Sequence, residues 1–391
     1  QWKERVTIAF AKLDEDEDNV PLKFREIEKA SSAEMFTTRQ VNAAIGAQRE
    51  EWRLALKQEY DSFMEKKVVR RLTNEERSTL MPRDIYPMKV VASIKPEDSS
   101  GVRRKRARGV VCGNYEPDGG LNTYCSKLDI ASLRSTLAIS AAKGWSVGAL
   151  DISTAFLNAD LPLEQNLVVV RPPKVMVNYG IVDPNELWVA EKAIYRLRVS
   201  PKDWSDDRDE ALAKIEVKTK KGKLRLVQSY ADPAVWNIVG EDVNDVKGYL
   251  LAYVDDFLIT SESDIVDSLQ KHIGEMWKTS TQTTISAKHP GTIKYLSIDI
   301  SIEQSGRTTL GQHQYCQEML EKWNMDSCKG TNSINLDKEE FDVGAQDEEE
   351  NYPGRESDVK LVQKLNGGLM WLTTRTRPDI AYAASRVGSA V

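Results

Sequence analysis

The sequence predicts an α+β fold with a mostly antiparallel sheet. Helical and strand patterns alternate irregularly along the 391 residues, instead of repeating as strand–helix–strand units. In addition, two of the predicted strands end in carboxylates, one at Asp151 and the other at Asp255 and Asp256. The first observation favours an antiparallel sheet, and the second predicts that acids lie at the ends of two of its strands.

Length and composition exclude several classes of protein. The length of 391 residues suggests two or three domains. No run approaches the ~18 consecutive apolar residues of a membrane span, so we expect no membrane partner. The four scattered cysteines form no C-x-x-C pair, which argues against a disulfide scaffold and a zinc module. No secretory leader is visible, and the first residue is Gln1, so we expect a piece of a longer protein.

The net charge of -6 conceals a basic body. Residues 14–18 carry -5 and residues 337–350 carry -7, so the rest of the chain carries +6. Acidic runs of this kind are typical of solvated tails or loops.

The first third of the chain reads as an arm, a helix and a hairpin. Residues 1–36 lack sustained periodicity and predict a loosely ordered arm. A helical pattern starts at a capping threonine, Thr37 or Thr38, and its apolar residues recur at a period near 3.6. Residues 84–95 and 107–111 predict two strands joined by a polar turn.

The remaining elements follow from the same signals. The residues predict a helix over 130–143 that ends at Gly144, a strand ending on Asp151, a strand and then a helix over 187–212 with Pro201 at the junction, a basic turn over 218–225, a hairpin over 248–260, a helix over 263–277, a hairpin formed by 293–302 and 307–310, a helix over 312–323 and a helical stretch from Asp358.

Adjacent carboxylates inside an apolar run are the strongest chemical signal. Asp255 and Asp256 lie between apolar arms, where an ionised group needs a partner or a metal. An ordinary hairpin turn is the alternative, although no glycine or asparagine is present. With Asp151 the set has three carboxylates, which suit hard cations such as Mg²⁺. Because side chains alternate along a strand, we expect only one of Asp255 and Asp256 to be the principal ligand beside Asp151.

Other chemistries find no support. The three histidines have no zinc-type or triad-like spacing, and the chain has no P-loop, G-x-G-x-x-G or G-x-S-x-G motif. The sequence therefore predicts either carboxylate–metal chemistry or none.

Five ordered blocks resemble the reverse transcriptases of copia-type retrotransposons. The blocks are L-D-I-S-T-A-F-L-N-A-D-L (150–161), A-I-Y-R-L-R-V-S-P-K-D-W (193–204), Y-V-D-D-F-L-I (253–259), Y-L-S-I-D-I (295–300) and T-R-P-D-I-A-Y-A (376–383). The resemblance implies a right-hand polymerase fold with fingers, palm and thumb. It also implies RNA-directed DNA polymerase activity that requires Mg²⁺ or Mn²⁺, uses dNTPs and extends a DNA primer on an RNA template.

The resemblance assigns roles to individual residues. Asp151, Asp255 and Asp256 match the family's catalytic, metal-binding aspartates. Phe156 matches a bulky residue that excludes a ribose 2′-hydroxyl, although core packing is the simpler alternative for that ring. Arg106 and Arg108 match a finger segment that holds the triphosphate. The predicted nucleotide-binding set is Arg106, Arg108, Ala155, Phe156 and Arg196, and the predicted nucleic-acid-binding set is Arg103, Arg104, Lys105, Lys220, Lys221 and Lys223.

The same resemblance predicts the organisation and location of the protein. We expect an arm over 1–45, a reverse transcriptase domain over 46–335, and an acidic loop with a connection segment over 336–391. In a full-length polyprotein an integrase would lie upstream and a ribonuclease H downstream. The expected location is the cytoplasmic virus-like particle of the element, with a possible nuclear stage.

Departures from the family pattern raise a second hypothesis. Arg196 stands where the family has a glycine that lies against the nucleotide, and we expect it to impair activity. Four further positions differ, at Lys127, Ala159, Val199 and Ser297. The alternative is therefore an impaired relic that acts as an RNA or RNA–DNA hybrid binding module. A nucleotide cyclase is a weaker alternative, because the basic hairpin and the T-R-P-D-I block argue against it.

Overall fold

A computed structural model describes residues 34–81, 85–94, 103–113, 123–161, 167–219, 222–330 and 355–389. The strands are β1 (Glu34–Phe36), β2 (Val69–Arg71), β3 (Ile85–Ile94), β4 (Lys105–Val111), β5 (Ser146–Ile152), β6 (Val169–Arg171), β7 (Trp188–Ala190), β8 (Glu216–Thr219), β9 (Gly222–Gln228), β10 (Val235–Val239), β11 (Val246–Tyr253), β12 (Asp256–Ser261), β13 (Thr279–Ile285), β14 (Gly291–Tyr295), β15 (Ile298–Ile302) and β16 (Thr308–Gly311). The helices are α1 (Thr38–Ala43), α2 (Gly46–Glu65), α3 (Asn74–Thr79), α4 (Ile130–Lys143), α5 (Lys174–Asn178), α6 (Ser200–Ala213), α7 (Ser263–Met276), α8 (His313–Lys322), α9 (Arg355–Thr373) and α10 (Ala381–Ser389). These elements confirm the predicted α+β class.

The chain divides into two compact units. The larger unit holds the described residues up to Asp129 together with Val147–Thr283. The smaller unit holds Ile130–Ser146 and the described residues from Thr284 onward. The predicted arm and acidic loop fall largely on residues outside those described, so the predicted domain boundaries stay a prediction.

Two sheets organise the larger unit. The first has the strand order β1-β3-β6-β7-β2, with β4 paired to β3. Its β3–β6 pair is parallel, whereas the other pairs of described strands in this sheet are antiparallel. The second has the order β13-β5-β12-β11-β10-β9-β8. This order places β5, which carries Asp151, directly beside β12, which begins with Asp256.

Each sheet of the larger unit has its own apolar core. Helix α2 packs a stripe of Trp52, Leu56 and Phe63 into the first core, together with the buried Trp188. Helix α7 packs Ile265, Val266, Leu269 and Ile273 into the second core. These residues recur at the helical period, which explains why the sequence located both helices.

A glycine allows α7 to approach β5 closely. A Cβ atom on Gly148 would lie 2.5 Å from Cγ1 of Val266 and 2.7 Å from Nε2 of Gln270. Real side chains do not approach so closely, so any larger residue would push the helix away from the strand that carries Asp151.

The smaller unit contains an antiparallel sheet in the order β14-β15-β16. The sequence predicted one strand over 293–302, and this prediction is wrong. A two-residue turn at Leu296 and Ser297 divides that segment, and both residues have a positive φ, of 51° and 62°. Such a turn usually contains Asn-Gly, so the Leu-Ser pair at this position gave no sequence signal for a turn.

The basic turn predicted over 218–225 is part of a hairpin. Residues 216–219 of β8 pair with residues 222–225 of β9, and Lys220 and Lys221, which lie between them in the sequence, are outside the described residues. The single helix predicted to start at Thr37 is divided at Ala44 and Ile45 into α1 and α2, whereas the other predicted helices and hairpins are present. In particular, Thr37 caps α1 through a capping box, and Pro201 lies in the first turn of α6.

Candidate active site

The three predicted aspartates come together at adjoining strand ends. Asp151 is the penultimate residue of β5, and Asp256 is the first residue of β12. The backbone N–H of Ile152 donates to the carbonyl of Asp255 at 2.8 Å, which brings the Asp255 backbone beside Asp151. All three aspartates are partly buried.

Asp255 lies in a turn and not in a strand. Tyr253 pairs with Asp256, so Val254 and Asp255 form a two-residue loop between β11 and β12. Strict alternation of side chains therefore does not govern Asp255, and the premise that both acids lie in one regular strand is wrong. Because Asp255 lies in a turn, the two carboxylates need not point to opposite faces of the sheet.

Val254 has a strained backbone. Its φ is 53°, which is a genuine outlier for a β-branched residue and costs about 1–3 kcal/mol. Nε1 of Trp204 donates to the Val254 carbonyl at 2.8 Å, and the Trp204 ring packs edge-to-face on Trp277 at 5.4 Å. Tertiary contacts from α6 thus hold the turn that carries Asp255.

Burial and neighbouring carboxylates raise the pKa of Asp255 and of Asp256. Burial, followed by the charges of Asp255 and Asp151, raises the pKa of Asp256 to about 6. Burial is also the largest cause that raises the pKa of Asp255, and Asp151 adds to it, while the Asp255 N–H, Arg108 and Arg106 oppose the shift. Neighbouring carboxylates repel one another, and a bound cation would reduce that repulsion.

The site fits a divalent cation by its donor chemistry. Carboxylate oxygens are the ligands that Mg²⁺ and Mn²⁺ prefer. Among the described residues, however, no group of three or more Asp, Glu, His or Cys side chains is already arranged to hold a metal ion. A shared ion would therefore require side-chain adjustment of the aspartates.

Two arginines of β4 lie in the electrostatic range of these acids. The guanidinium carbon of Arg108 lies 5.2 Å from the centre of the Tyr195 ring. Its Nε is buried and finds no hydrogen-bond partner among the described residues. Burial, and next the charge of Arg108, lowers the pKa of Arg106, whereas Tyr195, Glu59 and Asp151 raise it. A buried unpaired guanidinium N–H is suited to an anion.

Phe156 lies on a 3₁₀ turn just after β5. The turn spans Ala155–Asn158, and the partly exposed Phe156 ring meets the Tyr195 ring edge-to-face at 5.6 Å. Ala155, which the sequence predicted to bind nucleotide, is buried in the second core, with 3 % exposure.

Tyr195 and Lys66 are the site residues that sequence reasoning missed. Burial is the main cause that raises the pKa of Tyr195 to about 12, and its ring connects Phe156 with Arg108. Nζ of Lys66 donates to Oγ1 of Thr154 and, at 3.4 Å, to Oδ1 of Asn158. Tyr195 lies within the A-I-Y-R-L-R block, which was a usable signal, whereas Lys66 lies outside every block.

Arg196 occupies a left-handed backbone position. Its φ is 70° and its side chain is exposed. An L-residue at such a φ costs roughly 1–2 kcal/mol more than glycine. A glycine at this position would adopt the same backbone conformation without that cost.

The predicted nucleic-acid-binding residues have different surroundings. Nη2 of Arg103 lies 3.5 Å from Glu34, and Nζ of Lys223 lies 2.6 Å from Glu216. The ammonium of Lys105 pairs with Glu51 at 3.0 Å and lies 5.1 Å from the centre of the Trp52 ring. Arg104 is exposed, while Lys220 and Lys221 lie outside the described residues. Lys105 is therefore engaged by α2.

The other departures from the family pattern lie at different depths. Ala159 and Val199 are buried, with exposures of 0 % and 4 %, whereas Lys127 and Ser297 are exposed.

None of the described helices is long and apolar enough to cross a membrane.

Comparisons with known proteins place this site in context. The family model described as "Reverse transcriptase (RNA-dependent DNA polymerase)" matches residues 81–336, more than half of the chain. The retrovirus-related Pol polyprotein from transposon TNT 1-94 of Nicotiana tabacum is 25 % identical over 318 residues, which cover 78 % of this chain and 22 % of that protein. The retrovirus-related Pol polyprotein from transposon RE1 of Arabidopsis thaliana is 24 % identical over 302 residues, which cover 75 % of this chain and 18 % of that protein. The chain thus spans about a fifth of the length of these curated relatives.

Two solved structures that resemble this chain come from a foamy virus and from Candida tropicalis. A foamy viral protease–reverse transcriptase in complex with double-stranded DNA matches with a TM-score of 0.41 and 12 % identity, over 82 % of this chain and 40 % of that one. The apo telomerase of Candida tropicalis matches with a TM-score of 0.33 and 9 % identity, over 68 % and 54 %.

Proposed function

This chain belongs to the reverse transcriptase (RNA-dependent DNA polymerase) family, and on that premise we propose that it is an RNA-directed DNA polymerase that extends a primer with dNTPs. The observation that carries the proposal is the convergence of Asp151, Asp255 and Asp256 at adjoining strand ends, within electrostatic range of Arg106 and Arg108. Acids for a cation and guanidinium groups for phosphates are the two parts that nucleotidyl transfer needs.

The three aspartates are the residues that would hold Mg²⁺ or Mn²⁺. When bound, two such cations supply Lewis acids that favour attack of the primer 3′-hydroxyl on the α-phosphate and stabilise the leaving pyrophosphate. The raised pKa values of Asp255 and Asp256, caused first by burial and then by neighbouring carboxylates, support this role, because an added positive charge stabilises the ionised carboxylates.

Arg106 and Arg108 would hold the triphosphate. The planar guanidinium group matches phosphate oxygens, and Nε of Arg108 is a buried donor that lacks a partner among the described residues. The stacking of Arg108 on Tyr195 orients this donor.

Phe156 would select deoxyribose. A ring beneath the sugar leaves no room for a 2′-hydroxyl, and the edge-to-face contact with Tyr195 restricts how far the Phe156 ring can move. Replacement of Phe156 by Val should admit rNTPs at the cost of general efficiency. An unchanged preference for dNTPs over rNTPs would remove this role.

The proposed partners follow from the reaction. An RNA template and a DNA primer would be held through their phosphates by basic residues, with an affinity that falls as salt rises. We propose that the chain works within a longer polyprotein, with an integrase upstream and a ribonuclease H downstream. Its proposed location is the cytoplasmic virus-like particle of the element, with a possible nuclear stage.

Primer extension tests the proposal directly. The purified chain is incubated with an RNA template, a labelled DNA primer, dNTPs and Mg²⁺, and Asp151→Asn serves as the inactive control. Template-dependent extension by the parent alone is expected. Equal extension by parent and control would mean that the activity comes from a contaminant.

A second candidate is binding of RNA or RNA–DNA hybrid without catalysis. It is favoured by the finding that no three-ligand metal group is preformed among the described residues. Tight binding of an RNA–DNA hybrid, together with no extension at any Mg²⁺ or Mn²⁺ concentration, would support this candidate.

A further inference from the structure

A carboxylate interrupts the apolar stripe of helix α2. The stripe runs through Trp52, Leu56, Glu59 and Phe63, at spacings of four, three and four residues. Glu59 occupies a core position of this stripe, with 9 % exposure. An acid is seldom buried so deeply unless it is paired, so its retention needs a partner.

The partner of Glu59 is the free edge of β4. The N–H of Gly109 donates to Oε1 of Glu59 at 2.8 Å. Among the described strands β4 pairs only with β3, so its other edge carries N–H groups that need acceptors. The N–H of Val111, two residues along the same edge, donates to the carbonyl of Tyr195 at 2.9 Å.

Helix and strand meet closely at this point. A Cβ atom on Gly109 would lie 3.2 Å from Cζ of Phe63, which is tighter than most real contacts. Phe63 is one turn beyond Glu59 on α2, so the helix contacts Gly109 through both residues. The glycine permits the approach that brings the Glu59 carboxylate to the strand.

Three cations offset the negative charge of Glu59. Burial raises the pKa of Glu59, while the hydrogen bond from Gly109 and the charges of Arg108, Arg106 and Lys66 lower it. Ala107 and Gly109 are buried, whereas Arg106 and Arg108 occupy the alternate positions of the strand, and Arg108 lies over Tyr195. Glu59 is therefore a counter-charge behind two arginines that repel each other.

We propose that Glu59 is a positioning residue, which fixes β4 at Gly109 and neutralises the mutual repulsion of Arg106 and Arg108, so that both guanidinium groups stay aligned for the phosphates of a nucleoside triphosphate. This inference rests on the proposed function, since the arginines need a phosphate ligand for their alignment to matter. Glu59 acts through the arginines and does not touch the substrate.

Matched variants separate the charge of Glu59 from its hydrogen bond. Glu59→Gln keeps an oxygen that can accept the Gly109 N–H but removes the charge. Glu59→Leu removes both. Glu50→Gln is the control, because Glu50 lies on the same helix, is exposed and pairs only locally with Arg53 among the described residues.

The first readout divides KM from kcat in primer extension. For Glu59→Gln we expect the KM for dNTP to rise about tenfold, the size of one partly screened charge contact, with kcat changed less than about twofold. Glu50→Gln should match the parent in both constants. A merely structural role would lower the fraction of active protein and kcat, and would leave KM unchanged.

The second readout needs no polymerase activity. Binding of inorganic tripolyphosphate is measured by calorimetry at low salt, and Glu59→Gln should bind about tenfold more weakly than the parent. If the parent binds tripolyphosphate but extends no primer, the polymerase assignment fails and this comparison still decides the role of Glu59. If the parent extends primers and Glu59→Gln has unchanged KM and tripolyphosphate affinity, the role of Glu59 is overturned and the polymerase stands.

Two remaining outcomes are also decisive. A parent that binds no tripolyphosphate overturns the inference, because Arg106 and Arg108 then hold no phosphate. Should Glu59→Leu fail to fold, Glu59→Gln alone carries the test, since its side chain has nearly the same shape and retains the contact with Gly109.

Discussion

The hairpins β11–β12 and β14–β15 each close with a two-residue loop, but only the first loop carries one of the predicted site residues. Val254 and Asp255 form the first loop, and Leu296 and Ser297 form the second. Neither loop contains glycine, although Val254, Leu296 and Ser297 all have a positive φ. The first loop joins the strand ends that carry the acids, whereas the second has Ser297 exposed where the family has glycine.

The difference between the two loops lies in what holds the unfavourable backbone. Trp204 donates a hydrogen bond to the Val254 carbonyl, and Val254 packs against the second core. The strain of the acid-bearing loop is therefore tied to tertiary contacts that also position Asp255. This contrast indicates that glycine should repair one loop and disturb the other.

The largest expected effect is on the chemistry of the acid-bearing loop. Asp255→Asn should reduce Mg²⁺-dependent primer extension by about 10²–10³-fold or more, because it removes a charge from the reacting centre. Template–primer binding should remain measurable in a filter or anisotropy assay. Extension equal to that of the parent would show that the site has been misassigned.

The next largest expected effect is on how the stability of the acid-bearing loop depends on pH. Because the pKa of Asp256 is about 6 in the folded state and 3.8 ordinarily, its ionisation weakens the fold as pH rises from about 4 to 6. Asp256→Asn should therefore be more stable than the parent by about 2 kcal/mol above pH 6, and the advantage should vanish below about pH 4.

Urea unfolding of both proteins between about pH 3 and pH 7.5 measures this difference in stability. Subtracting one protein's stability from the other's removes the titration of groups that both share. Added Mg²⁺ should stabilise the parent more than Asp256→Asn. A difference in stability that does not change with pH would contradict the raised pKa.

Glycine substitution compares the two loops directly. Ser297→Gly should raise the free energy of unfolding by about 0.5–1 kcal/mol, because glycine removes the left-handed penalty but adds entropy to the unfolded chain. Val254→Gly should gain less, because it also loses the packing of a partly buried side chain. It should lower primer extension several-fold, since Asp255 becomes less firmly held.

Urea titration and primer extension on the same preparations provide both measurements. A matching gain in stability and unchanged extension in both variants would mean that the Val254 backbone contributes nothing to the site.

The smallest expected effect concerns Arg196, another non-glycine residue with positive φ. Arg196→Gly should stabilise the protein by about 0.5 kcal/mol. The exposure of the arginine side chain argues against the impairment predicted from the family pattern, so extension should change less than about twofold. A clear gain in dNTP incorporation would instead support the hypothesis that Arg196 occludes the nucleotide. A clear loss would make Arg196 a working phosphate ligand.

The sequence predicted the fold class and most elements, because periodic burial is a local signal. The stripe of α2, the cap at Thr37 and the apolar arms around Asp255 are all visible within short windows. The family match confirms the resemblance and, with it, the right-hand polymerase class of fold. The turn at Leu296 and Ser297 was missed because its residues are atypical for their backbone conformation.

What the sequence by itself determined is the set of residue types, namely three strand-end acids, a basic strand and an aromatic ring at Phe156. Only the tertiary structure decided which of them have neighbours. The contacts of Glu59 with Gly109, of Tyr195 with Phe156 and of Trp204 with Val254 join residues 39 to 50 positions apart. Such pairs leave no periodic trace in a sequence, because they depend on how sheets and helices pack and not on the preference of any one segment.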